Sequence, residues 1–69
     1  MVKADSATVS WDAGKKAWRV RIQVGEEVIK RPCKKVKHDA DDASLRTVAL
    51  ETARDEGYEV EPAAVTIAR

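Results

Sequence analysis

Hydrophobic and polar positions alternate without a break from Ala17 to Val24, placing Trp18, Val20, Ile22 and Val24 on one face and Arg19, Arg21 and Gln23 on the other. A period of two marks a strand with one buried side. Gly25-Glu26 follows at once, and Gly leading a two-residue loop suits a type II′ hairpin turn, so a return strand is predicted from Glu27 to about Lys35. Counting outward from that turn sets Ile22 opposite Ile29 and Arg21 opposite Lys30. Pro32 has no N–H to give to a ladder, so the return strand either lies at a sheet edge or ends near there. Upstream, Ala7 to Trp11 alternates too and runs into the turn-rich Asp12-Ala13-Gly14-Lys15. Three antiparallel strands are predicted.

The period then changes. Leu45, Val48, Ala49, Thr52 and Ala53 fall at i, i+3, i+4, i+7 and i+8, an apolar stripe that predicts a helix running to about Glu56 and lying on the sheet. Asp39, Asp41, Asp42 and Ser44 crowd its start, where side-chain oxygens accept from free N–H groups and carboxylates meet the positive end of the helix dipole. Asp42 and Arg46 stand at pairing distance along it, and Gly57 sits where a left-handed cap belongs. After Pro62, residues 63–68 read as a last strand. The expected fold class is α+β: a three-stranded antiparallel sheet, one helix packed on it and a fourth strand, in the order β-β-β-α-β, with residues 1–69 forming one small domain. Trp11 and Trp18 fall in the apolar phases of their strands, which assigns them to the core. Tyr58, just past the helix cap, is open to either a core edge or an exposed contact.

Composition narrows the picture. Among 69 residues there are eleven alanines and no Phe, so the core is thin. A chain of this length buries only about 60% of its unfolded surface, and the single Cys33 cannot close an internal disulfide. A homodimer is one way to complete such a core. No run approaches the roughly 18 apolar residues of a membrane span, and residues 1–6 lack the apolar stretch of a signal peptide. With an unpaired thiol suiting a reducing compartment, a cytoplasmic location is expected.

The formal charge of +1 conceals a division. Residues 15–37 carry nine basic side chains against Glu26 and Glu27, a net +7, whereas residues 38–69 carry eight acids against three bases, a net −5. Such asymmetry points to nucleic acid, a membrane surface or an acidic partner. The candidate nucleic-acid-binding residues are Lys15, Lys16, Arg19, Arg21, Gln23, Lys30, Lys34 and Lys35. Like charges opposite each other, as at Arg21 and Lys30, are destabilising unless an anion compensates.

The run Lys16-Ala17-Trp18-Arg19-Val20-Arg21-Ile22-Gln23-Val24-Gly25, then Val28-Ile29-Lys30-Arg31, then an acidic-capped helix, resembles the AP2-like N-terminal DNA-binding domain of phage-type integrases. The resemblance covers about residues 7 to 56. It implies a three-stranded sheet on one helix that reads DNA with the sheet, through Arg19, Arg21, Lys30 and Gln23. The aromatic residue usual after the third strand is absent from Arg31-Pro32-Cys33-Lys34, and a strand follows the helix. That last strand gives a second resemblance, to the first half of the ribonuclease H fold, with Thr47 to Gly57 similar to its first helix. Half-size versions of that fold include the HicB-type antitoxins. Asp12 and Asp42 lie near two positions where the full enzymes carry metal-binding carboxylates, but Arg69 stands where a further acid would be.

His38-Asp39-Ala40-Asp41-Asp42 lacks the Gly and terminal Glu of an EF-hand loop, and helix capping accounts for its acids. Cys33 and His38 have no visible third partner. The expectation is therefore a non-enzymatic accessory protein, without catalytic residues, metal or cofactor, that binds nucleic acid through a basic sheet face. The alternative is a protein-interaction module, antitoxin-like or homodimerising, whose basic sheet meets an acidic partner.

Overall fold

A computed structural model describes residues 2–33 and 36–68. Its elements are β1 (Val2–Lys3), β2 (Ser6–Asp12), β3 (Ala17–Val24), β4 (Glu27–Cys33), α1 (Asp42–Asp55), β5 (Tyr58–Glu59), a 3₁₀ turn over Pro62–Ala64, and β6 (Val65–Ala68). The expected α+β order is present, and two short strands, β1 and β5, are added to it. They pair in parallel with each other, apart from the main sheet. That sheet has four strands in the order β4-β3-β2-β6. It is antiparallel across β2-β3-β4 and parallel where β6 joins β2, so the sheet is mixed. The final strand is shorter than the expected 63–68, because the 3₁₀ turn takes Pro62–Ala64 and leaves β6 to start at Val65.

The hairpin register is the one counted from the turn: Ile22 faces Ile29 and Arg21 faces Lys30. Gly25 has φ +58 while Glu26 is not in the positive region, the combination of a type II′ turn rather than I′, which needs both. The carboxylate of Asp5 accepts from the Gly25 N–H at 2.7 Å and fastens the loop. Val24–Glu27 closes the loop as a hydrogen-bonded pair, and alternation from there makes Arg19–Pro32 a non-hydrogen-bonded one. The N–H that Pro32 lacks would point off the open edge, so the ladder loses nothing.

Helix α1 is capped by Asp41, whose Oδ1 accepts from the Ser44 N–H at 2.8 Å. At the other end Gly57, at φ +88, turns the chain out. The buried side of the helix is Leu45, Ala49 and Ala53, with Val48 half-buried. These meet Ala7, Val9, Trp18, Val20 and Ile22 of the sheet, closed off by Val60 and Val65. Small alanines let the helix approach closely, and the larger residues Trp18, Ile22 and Leu45 supply the volume, each buried aliphatic side chain being worth roughly 1.5–3 kcal/mol. One helix covers one side of the sheet only.

Candidate nucleic-acid interface

The register decides which side chains share the other side. Cross-strand partners stand on the same face, so Arg19, Arg21 and Gln23 of β3 line up with Ser10, Thr8 and Ser6 of β2 and with Pro32, Lys30 and Val28 of β4. Thr66 and Ala68 of β6 extend the row beside Thr8 and Ser10. The core residues all belong to the opposite phase. The result is an open face with hydroxyls along β2 and cations along β3 and β4. The hydroxyl row was not among the expected contacts, although Ser6, Thr8 and Ser10 alternate with Ala7 and Val9 in the sequence.

The candidate residues fall into three groups. Arg21 and Lys30 are exposed, directly opposite each other, and neither enters an ion pair among the described residues. Arg19 is half-exposed and is bound by Asp12: its Nη2 donates to Oδ2 at 2.5 Å. Gln23 shares the face, but its amide Nε2 donates to the Gly25 carbonyl at 2.6 Å and so is tied to the hairpin turn. Lys15 and Lys16 are exposed in the β2–β3 turn, at the end of the same face. Lys34 and Lys35 lie outside the described residues. Arg31 is in the inward phase, and its guanidinium pairs with Glu56 at the end of α1, bracing the edge strand to the helix.

Asp12 holds the turn end of this face together. Its Oδ1 accepts from the N–H groups of Gly14 and Lys15, at 3.1 and 3.2 Å, while Oδ2 takes Arg19. The Lys15 N–H lowers its pKa below the ordinary value of 3.8; partial burial opposes this, and the Arg19 charge and the Gly14 N–H add to the lowering. A carboxylate so engaged is a poor metal ligand. Among the described residues no group of three or more His, Cys, Asp or Glu side chains is arranged to hold a metal ion.

The aromatic residues are on the other side. Trp18 is 1% exposed, Trp11 packs edge-on against it with ring centroids 5.3 Å apart, and His38 lies over Trp11 at 4.3 Å. None of the three is on the open face, which therefore offers cations and hydroxyls but no stacking platform. Tyr58 is half-buried beside the core. Among the described residues no helix is long and apolar enough to cross a membrane.

No protein-family model matches this chain, and no curated protein and no solved structure matches it significantly. The fold and the open face define an α+β protein with one helix on one side of a mixed sheet and a cationic, uncovered surface on the other.

Proposed function

We propose that this protein binds nucleic acid without catalysis, through the open face of its sheet, by contacts to backbone phosphates. The observation that carries the reading is the pairing of Arg21 with Lys30, two exposed cations held opposite each other with no carboxylate partner among the described residues. A cross-strand like-charge pair is unfavourable by itself and becomes favourable when an anion sits between. Arg19 continues the cationic row along β3, Lys15 and Lys16 extend it beyond the turn, and Thr8 and Ser10 add hydroxyls of the kind that contact phosphate and sugar oxygens. The absence of aromatics from this face supports backbone contact over base stacking, and so binding that varies little with sequence. The proposed setting is the cytoplasm.

Replacing Arg19, Arg21 and Lys30 together by Gln tests this. Affinity for duplex and single-stranded DNA should fall alike for all sequences, and the dependence of log K on log salt should flatten by about 0.9 for each duplex phosphate that is no longer neutralised. An unchanged affinity sinks the reading.

A protein-interaction role of the antitoxin type is the second reading, favoured by the element order β2-β3-β4-α1-β6, whose last strand the integrase resemblance leaves unexplained. Its mark in sedimentation would be self-association or capture of an acidic protein, with no salt-sensitive DNA binding.

A further inference from the structure

At the turn end of the open face is a cleft of about 190 Å3, lined among others by Asp12, Lys15, Ala17, Arg19, Lys30 and Pro32. At about 30 Å3 per water molecule, it has room for one tetrahedral anion with a few waters. Two of its lining residues, Ala17 and Pro32, have short side chains. Ala17 shares the phase of Arg19 and is only 2% exposed, and Pro32 sits across the strand from Arg19. Four basic residues line it against the one carboxylate of Asp12; Arg31 pairs with Glu56, which leaves Lys15, Arg19 and Lys30 for an anion.

That carboxylate is unusual for a cationic cleft, and its geometry gives it a role. Oδ1 is fixed by two backbone N–H groups, so Oδ2 is a rigid anchor for one nitrogen of Arg19. A guanidinium has five N–H donors in a planar fork. Pinning one nitrogen stops the side chain from roaming over solvent while leaving other donors free for a second anion.

We propose that this cleft seats a single backbone phosphate of a bound nucleic-acid strand, gripped by Arg19, Lys15 and Lys30, and that Asp12 is the positioning residue that holds Arg19 for it. This rests on the reading of the open face as a nucleic-acid surface and adds the place where one strand phosphate is fixed.

The sign of one substitution separates positioning from general electrostatics. Asp12→Asn removes a negative charge from a cationic face, so a diffuse electrostatic surface would bind DNA more tightly. If Asp12 positions Arg19, the variant binds more weakly and its salt slope falls by about 0.9 on duplex DNA, the signature of one phosphate released from the protein. The Asn oxygen can still accept from the turn N–H groups, and a thermal melt shows whether the fold survives at the binding temperature. Should it not, Arg19→Lys serves: charge is kept and the fork is removed, so weaker binding supports the proposal and unchanged binding overturns it. Arg21→Gln, outside the cleft, is measured beside them. Tighter binding by Asp12→Asn with weaker binding by Arg21→Gln overturns the phosphate seat and leaves the face reading standing. No binding of DNA by the parent protein overturns both.

Discussion

The indole Nε1 of Trp18 donates to the carbonyl oxygen of Lys37 at 2.8 Å. Trp18 belongs to the middle of the sheet and Lys37 to the segment leading from β4 into α1, so one bond ties the connection to the core across 19 residues of sequence. Val36 and Ala40 pack beside it, and His38 covers the adjacent ring of Trp11. Residues 36–40 thus form a strap over the aromatic pair, leading to the Asp41 cap of α1.

Trp18→Phe should therefore destabilise the protein by about 2 kcal/mol, from the missing hydrogen bond and the unfilled indole volume, the Lys37 carbonyl keeping its bond from the Ala40 N–H. Trp11→Phe, at a half-buried position without that bond, should cost less. Urea unfolding of the two variants measures the difference, and hydrogen exchange should speed up at residues 36–40 in Trp18→Phe alone. Equal stability of the two variants would show that the strap does not hold the connection.

What could be read from the chain was local. The Gly25 turn fixes the pairing of β3 with β4 residue by residue, because a two-residue loop leaves one register that keeps Trp18, Val20 and Ile22 inward. The helix was equally legible from Leu45, Ala49 and Ala53. Two residues make no period, so β1 and β5 could not be seen, and their pairing joins Val2 and Lys3 to Tyr58 and Glu59, far apart in sequence. That β6 would lie parallel beside β2 depended on the helix crossing over the sheet, which no short-range pattern states. Within the cationic face the same division holds. Alternation placed Arg19, Arg21 and Lys30 together, while the grip of Asp12 on Arg19 follows from a four-residue turn whose shape only the structure supplies, and the diversion of Arg31 to Glu56 spans 25 positions of sequence.

The β2–β3 turn carries a local cost. Lys16 has φ 52, the only non-glycine among the described residues in the left-handed region, where an L side chain crowds its own carbonyl by roughly 1–2 kcal/mol. Glycine removes that crowding but has more freedom to lose on folding. Lys16→Gly should raise stability by about 0.5 kcal/mol in thermal or urea unfolding. A drop in stability would show that the lysine side chain contributes interactions that outweigh the strain.

In acid, the turn should loosen through Asp12. Its pKa lies below the ordinary value of 3.8 in the folded chain, set first by the Lys15 N–H against partial burial and then by the Arg19 charge and the Gly14 N–H. A carboxylate whose pKa is lowered by folding binds its proton less readily in the folded state than in the unfolded one. Its contribution is therefore complete above about pH 4 and is lost as the pH falls through the folded value. Melting temperatures of the parent and of Asp12→Asn should differ by a constant amount from about pH 7 to about pH 5, with the parent higher, and should converge below about pH 4 as the proton dissolves the bond to Arg19. Other carboxylates titrate over the same range in both proteins, so the difference between the two curves is what isolates Asp12. A gap that persists undiminished to about pH 2.5 would mean that the charge of Asp12 contributes nothing to the turn and that Arg19 is held in place by other groups.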